Sequence, residues 1–401
     1  MKVLHLLSTP RWSGAAEPVL LLCRQLVRQG HEIHLAFSSP RVRKGFPSGR
    51  TEEASPPEGQ LKLQQKAEEM QLSLVPELRL NVYANLLDNL HDCRLLRRLL
   101  REGNYSILHC HLSHALNLGA LSRLRLPWNG RLIYTHHAAK PLRRDPWHRW
   151  LVTRQTDHIL TYSPEVAQAY RERFKFPETR LTLLRGGVDW AAYAPNMDGT
   201  KLRERWGIPP GCLLVGMVAR MRKQRDHATL LRAIARLAES PQRLRCVLVG
   251  HGEHLEAVRS LADDLGLADR VVFAGYLESD YLQGLAAMDI FAYTASGSDA
   301  SCRAVIEAMA LRKPVVGVRR AALPLLVEPD QTGFLFEPGD DEQLAQHIRS
   351  FLSHPSLAKR FGEQGRLKVE KELTIEHVAR TVEQVYQEKN AEREMDHTSQ
   401  V

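Results

Sequence analysis

Apolar positions in this chain come in short runs, each followed by a stretch whose apolar residues return at helical spacing. That alternation predicts parallel sheets flanked by helices. In the first half the runs predict strands at Lys2–Leu7, Glu32–Phe37 and Ile107–His111, then at residues 131–135, 158–162 and 181–184, with a helix over residues 17–29. In the second half they are nearly continuous, as strands buried on both faces should be. These strands fall at residues 213–219, 246–249 and 271–273, then Ile290–Tyr293 and Val315–Val318. Two α/β domains in series follow, over residues 1–190 and 201–372, with the linker near residues 189–201 and a terminal helix over residues 373–391. Residues 40–59, rich in Pro, Gly, Ser and charge, predict a mobile loop.

A chain of 401 residues with 43% apolar content is too long for one ordinary core, which supports the two-domain reading. Its six cysteines are scattered with no C-x-x-C pair, so neither a zinc site nor a disulfide framework is indicated, and a reducing compartment is the simpler reading. The first apolar run reads as a buried strand rather than a secretory signal, and no stretch approaches the ~20 apolar residues of a membrane span. A soluble or peripheral protein is expected.

The formal charge of +9 points to an acidic partner without choosing among nucleic acid, anionic lipid and phosphate-bearing substrate. Helical spacing puts Arg94, Arg97, Arg98 and Arg101 on one side of a helix and Leu95, Leu96, Leu99 and Leu100 on the other. A surface helix with its leucines in the core is favoured over a membrane-facing one. Residues 140–150 mix Arg143, Arg144 and Arg149 with Trp147 and Trp150, which suits a lipid headgroup surface and a folded loop equally. Nucleic acid is not expected, because the arginines are dispersed and no recognition motif is present.

In open α/β sheets ligands bind beyond the carboxyl ends of the strands, so residues just after predicted strands carry the functional weight. The richest stretch runs from Ser296 to Gly317: Asp299 sits in a Gly/Ser turn, and Glu307 follows eight positions later in the next helix. With that helix over residues 302–311, Asp299 lies near its positive N-terminal end, where free N–H groups favour an anion. Arg220 at a strand end and Arg225 before a helix that Asp226 would cap suit a diphosphate, although exposed arginines there are common. Gly250 and Gly252 flank His251 in a strand-to-helix turn, and Gly14 lies in a small-residue turn after the first strand; no G-x-G-x-x-G accompanies it. His109, His111, His136 and His137 are read as following separate strands, as polar walls or acid/base groups of a crevice. A metal site there is not favoured, since no carboxylate accompanies the spacing.

Several of these motifs form a set. It comprises the acid, seven residues, acid pattern of Asp299 and Glu307 running into "EAMALRKPVV", the basic pair Arg220 and Arg225, "VGHGE", and "QTGFLFEPGD" from Gln331. In the first half it adds "SGAAE", His137 in a Thr-x-His position, "GGVD" from Gly186, and far downstream the closing helix near Tyr386. Together they resemble the retaining, nucleotide-sugar-dependent glycosyltransferases of family 4 (glycosyl transferases group 1) over nearly the whole chain. The resemblance implies the GT-B fold: two Rossmann-like parallel-sheet domains facing a central cleft, an acceptor-binding N-terminal one and a donor-binding C-terminal one, with the last helix crossing back to the N-terminal domain. It implies a nucleotide-diphosphate sugar as donor substrate, no cofactor, and no metal, in keeping with the lack of an Asp-x-Asp motif. Arg220 and Arg225 would stabilise the diphosphate, Glu307 would accept hydrogen bonds from the ribose, and Asp299 with the backbone of Ala300, Ser301 and Cys302 would hold the donor sugar and phosphate. The glycine turn at Gly250 and Gly252 would border the nucleotide, and His137 and Gly14 would face the acceptor and reacting centre. His137, Asp299, Arg220 and Arg225 form the implied catalytic set. The acceptor would be a glycan or glycolipid, the product an envelope polysaccharide, lipopolysaccharide or glycolipid, and the location cytoplasmic and peripheral on the inner face of an anionic membrane.

Three departures bear on these expectations. Asp299 is one methylene shorter than the family's usual Glu, Arg225 stands where Lys is common, and the Gly-Gly-Ile-Pro-Glu segment appears as "AALPL" from Ala321 to Leu325. A sugar phosphorylase or nucleotide-sugar epimerase of the same fold, and a catalytically silent sugar-nucleotide-binding partner, are the competing expectations.

Overall fold

Strand and helix alternate into two separate, wholly parallel sheets in the computed structural model, which describes residues 1–9, 12, 14–38, 58–81, 86–194, 196–237, 243–295 and 302–388. The first sheet holds β1 (Lys2–Leu7), β2 (Glu32–Phe37), β3 (Ser73–Leu74), β4 (Ile107–His111), β5 (Arg131–His136), β6 (His158–Thr161) and β7 (Leu181–Leu183). Its helices are α1 (Ala16–Arg28), α2 (Glu58–Glu69), α3 (Leu86–Glu102), α4 (Ser113–Arg123), α5 (Pro146–Trp150) and α6 (Pro164–Phe174). After α7 (Thr200–Arg205) the second sheet holds β8 (Leu213–Val218), β9 (Leu244–Val249), β10 (Val271–Gly275), β11 (Ile290–Tyr293), β12 (Val315–Val318) and β13 (Gly333–Phe336). Between and after these strands lie α8 (His227–Arg236), α9 (Leu255–Asp264), α10 (Tyr281–Ala287), α11 (Arg303–Ala310), α12 (Leu323–Leu326), α13 (Asp341–Ser353), α14 (Pro355–Glu372) and α15 (Ile375–Gln387).

The strand orders are β3-β2-β1-β4-β5-β6-β7 and β10-β9-β8-β11-β12-β13. In each sheet the order reverses beside the first strand, between β1 and β4 and between β8 and β11, and ligands of doubly wound sheets bind at such switch points. Apolar side chains cover both faces of the first sheet and form one continuous core around the second.

The chain passes between the sheets at one place. Val188 bridges to Thr374, with the Val188 N–H donating to the Leu373 carbonyl at 3.1 Å and the Ile375 N–H donating to the Val188 carbonyl at 2.9 Å. Gly187 is required there, because a Cβ would stand 2.7 Å from the Thr374 carbonyl oxygen. From this bridge α15 crosses back and packs on α1, burying Val378, Ala379, Val382, Val385 and Tyr386 in the core of the first sheet.

Most predicted strands match to within two residues. The segment 40–59 does not stay a loop to its end: α2 starts at Glu58 and buries Leu63 and Ala67, while residues 39–57 lie outside the described residues. In α3, Leu96 and Leu100 enter the core, Arg94, Arg98 and Arg101 are exposed, and Arg97 ties α3 to α4 by donating to the Ser122 and Leu124 carbonyls. In residues 140–150, Asp145 caps α5 and the Trp147 indole N–H donates to Asn117 at 3.1 Å. No described helix is long and apolar enough to cross a membrane.

Candidate functional site

The second sheet builds its site at the carboxyl ends of β8 and β11. Arg220 follows β8 and is exposed; Arg225 is half-buried, its guanidinium donating to the Tyr293 hydroxyl at 3.3 Å and its carbonyl accepting from the Thr294 hydroxyl at 3.1 Å. The arginine loop therefore rests against the end of β11. Asp226 caps α8, accepting from the Thr229 hydroxyl at 2.7 Å. The turn after β9 props the loop from the other side. Gly250 has φ +139°, and a Cβ there would overlap the Ala219 carbonyl oxygen; one on Gly252 would overlap the Met221 carbonyl oxygen. The same contact carries two backbone hydrogen bonds, Met221 N–H to His251 at 3.1 Å and His254 N–H to Met221 at 2.9 Å. Both glycines thus serve close backbone approach beside Arg220.

Past β11, Asp299, Ala300 and Ser301 lie outside the described residues, and Cys302 opens α11 with φ 47° and ψ 40°, a left-handed backbone for a buried non-glycine residue. Glu307 is 2% exposed. Its carboxylate accepts from the Tyr193 hydroxyl at 3.0 Å, from the Tyr281 hydroxyl, and from the Arg303 guanidinium at 2.7 Å. A ribose reaching it would displace one of these donors. Burial, with the Glu307 charge, raises both tyrosine pKa values well above the ordinary range. Burial opposes the charge on Arg303, yet Glu307 and Glu17 together raise its pKa well above normal. Glu17 belongs to α1, so Arg303 spans the cleft between the two sheets.

On the first sheet, Gly14 is exposed in the turn into α1. His137 directly follows β5, buried, its ring 5.7 Å from that of Tyr162. Tyr162 lines a small interdomain void with Pro18, Gly187, Arg303, Ile306 and Val378. The other histidines require correction. His109 and His111 lie within β4, whose predicted span already held them, and His136 ends β5, which runs one residue past its predicted end. His136 bonds the Tyr170 hydroxyl at 2.8 Å and the Lys140 carbonyl at 2.9 Å, in a different group from His137, which meets His111 at 3.1 Å.

Nitrogens of His5, His109 and His111 lie within 4.8 Å of one another, a spacing that a metal could span. All six of their ring nitrogens already have partners: His5 with His111 and Tyr386, His111 with His137, and His109 with Tyr386 and Thr135. A metal would have to break these bonds to ligate. Burial lowers the pKa of His5 and His137 to about 3 and holds His109 and His111 well below their usual value, so all four rings are neutral at neutral pH.

Sequence reasoning missed Tyr193, Tyr281, Arg303, Glu17 and His5. Arg303 left a trace, four residues before Glu307 on one helix face, and Glu17 closes the "SGAAE" motif. The arrangement as a whole offers two arginines at a strand end, and two helix N-termini joined by one guanidinium, on opposite sides of a cleft. That geometry suits an anionic, two-part ligand such as a sugar diphosphate.

Comparison with known proteins agrees with this division. Residues 12–191 match the family model Glycosyltransferase Family 4, and residues 198–368 match Glycosyl transferases group 1. N-acetyl-alpha-D-glucosaminyl L-malate synthase of Bacillus anthracis is 23% identical over 377 residues, 91% of each chain. A glycosyltransferase from Rickettsia africae ESF-5 has the same fold, with a TM-score of 0.81 at 19% identity over 97% of this chain and 99% of that one. So does Alr3699/HepE of Anabaena, solved with UDP-glucose, with a TM-score of 0.76 at 20% identity over 96% of this chain and 98% of that one.

Proposed function

The chain belongs to the GT-B glycosyltransferases of family 4 and group 1, and from that premise we propose that it moves a sugar, with retention of anomeric configuration and without a metal, from a nucleotide-diphosphate sugar to a glycan or lipid-linked acceptor. The observation that carries this reading is the meeting of α1 and α11 across the cleft through Arg303 and Glu17, beside the Arg220–Arg225 loop at the switch point of the second sheet. A relative named for an α-glucosaminyl group and L-malate, and a structural neighbour holding UDP-glucose, support an activated-sugar donor.

Breaking the bond between the anomeric carbon and the diphosphate oxygen leaves negative charge on the phosphate and positive charge on the sugar ring. Arg220, Arg225 and the N-terminal end of α11 stabilise the departing phosphate, with Asp299, Ala300, Ser301 and Cys302 around the sugar. The acceptor oxygen attacks the same face, and the leaving phosphate takes its proton. His137 and Gly14 border the reacting centre from the first sheet, and closure of the cleft keeps water from competing. The basic and aromatic surface of the N-terminal half is read as facing an anionic membrane on its cytoplasmic side, with a product destined for the cell envelope.

The test is a thermal-shift and turnover screen with UDP-, GDP- and ADP-sugars, with product configuration read by NMR. One donor should stabilise the protein, Arg220→Ala should abolish that response, and the product should keep the donor's configuration. Binding without transfer to any acceptor would favour the silent-partner reading, and an inverted product would refute retention.

A further inference from the structure

Six buried side chains form an unbroken line of hydrogen bonds from the cleft to the crossover helix. His137 Nε2 meets His111 Nδ1 at 3.1 Å, and His111 Nε2 meets His5 Nδ1 at 3.0 Å. His5 Nε2 meets the Tyr386 hydroxyl at 3.4 Å, that hydroxyl meets His109 Nδ1 at 2.6 Å, and His109 Nε2 ends the line at the Thr135 hydroxyl, 2.7 Å away. The pleat explains the assembly. His5 pairs with His109 in register, His111 lies two residues further on, and Thr135 on β5 and His137 just past its end follow the same period, so all five project to the face that α15 covers.

A neutral imidazole has one N–H and one lone pair, on different nitrogens. Each link takes one hydrogen, so a ring that donates forward must accept from behind. Followed along the line, with the Tyr386 hydrogen paired as well, this leaves two arrangements. In the first, all four rings carry hydrogen on Nδ1, Thr135 donates to His109, and Tyr386 donates to His5. In the second, all four carry it on Nε2, Tyr386 donates to His109, and His109 donates to Thr135. Any mixture either sets two hydrogens or two lone pairs against each other or strips the Tyr386 hydroxyl hydrogen of its acceptor in a buried site, a penalty that amounts to about tenfold or more in population.

We propose that these side chains act as one tautomer relay, in which Tyr386 on the crossover helix fixes which nitrogen of His137 carries the proton at the cleft. In the first arrangement Nδ1 of His137 is a donor; in the second it is an acceptor. Tyr386 is thereby a positioning residue for His137. The functional consequence rests on the proposed transferase reading, whereas the relay itself does not.

The experiment is nitrogen-resolved NMR of the full chain carrying 15N-histidine, without substrate. In the wild type, His5, His109, His111 and His137 should be neutral at pH 7 and carry hydrogen on the same nitrogen as one another, with mixed arrangements disfavoured by about tenfold or more. Tyr386→Phe keeps an aromatic ring in the α15 packing but cuts the line in its middle, and His137 should become a mixture of tautomers. Where a donor and acceptor are in hand, the same variant should lower kcat about tenfold and alter the pH–rate profile while leaving the donor KM near its wild-type value. The wild-type spectrum alone can overturn the relay, independently of whether the variant folds: linked rings protonated on opposite nitrogens would do so. An unchanged His137 signal in Tyr386→Phe would also overturn it. So would stoichiometric zinc in the purified protein, since the metal would replace the His5–His111 hydrogen bond. Failure of the transferase reading leaves these spectra unaffected.

Discussion

Arg303, in the first turn of α11, binds Glu17, in the first turn of α1, so one guanidinium joins the helix starts of the two halves while its other edge holds buried Glu307. The two carboxylates differ in what they lose without it. Arg303→Met leaves Glu307 buried with only hydroxyl donors and should cost about 3 kcal/mol of unfolding free energy. Glu17→Gln, on the wetter side of the pair, should cost less than about 1 kcal/mol. Adding Glu307→Gln to Arg303→Met should recover part of the loss, as read by urea denaturation. A double variant no more stable than the single one would show that no buried charge had been stranded.

Gly250 and Gly339 both have positive φ, but a Cβ at Gly250 runs into the Ala219 carbonyl whereas one at Gly339 meets nothing within 4 Å. Gly339→Ala should therefore cost about 1 kcal/mol for the left-handed backbone alone. Gly250→Ala should cost about 2 kcal/mol or more and weaken donor binding, because the strand end bearing Arg220 must move. Equal losses at the two positions, with unchanged donor affinity, would contradict the close-approach account.

Ala321 holds φ 53° in the segment where a glycine would be expected. The left-handed backbone persists without the residue that adopts it freely. Ala321→Gly should raise stability by about 0.5–1 kcal/mol, the relief of strain exceeding the extra entropy of the unfolded chain. A fall in the thermal midpoint would mean that the Ala321 methyl packs for more than it strains.

Alternation of strands and helices was enough to read the two sheets, since β1, β2, β4, β11 and β12 are apolar runs with clear ends. The short strand β3 and the helix α2 were not legible, because Ser73–Leu74 is too brief for a pattern and α2 is mostly polar. At the site, Glu307 stood out by its spacing from Asp299, but its engagement did not. Tyr193 and Tyr281 reach it from 114 and 26 residues away, through packing of the linker and α10. The same holds for the imidazoles: period-two spacing relates His109 to His111, whereas His5 and Tyr386 join them only through strand register and the returning helix.

His5 and His137 stay neutral in the folded protein down to about pH 3, while in the unfolded chain each titrates near its ordinary 6.5. Below pH 6.5 the unfolded state therefore binds protons that the folded state refuses, and stability falls as pH falls, until about pH 3. Each such ring contributes a slope of up to ~1.4 kcal/mol per pH unit in that window. Guanidinium midpoints should drop clearly from pH 7 to pH 5; a flat profile would mean that the rings gain protons without unfolding.

Leu86 and Leu87, at the start of α3, are 72% and 74% exposed, and Trp147 in α5 is 41% exposed. If this domain docks on an anionic membrane, Leu86→Ser with Leu87→Ser should reduce co-sedimentation with phosphatidylglycerol vesicles at least about tenfold, each leucine contributing on the order of 1.5 kcal/mol or more when buried. Sedimentation unaltered by the pair, or absent for the wild type at low salt, would remove the membrane from the proposal.

The crossover helix also sets an order of events during synthesis. The strands of the first sheet are complete at Leu183, but the face that carries His5, His109 and His111 has only α1 and α2 as cover until Tyr386 leaves the ribosome. At ordinary elongation rates that interval is roughly 10–40 s. Throughout it, the part of that face which α15 buries, with the three imidazoles, lacks its last helix on a nascent sheet, while the six strands of the second sheet are made in full. The half of the protein that begins first is the half that closes last.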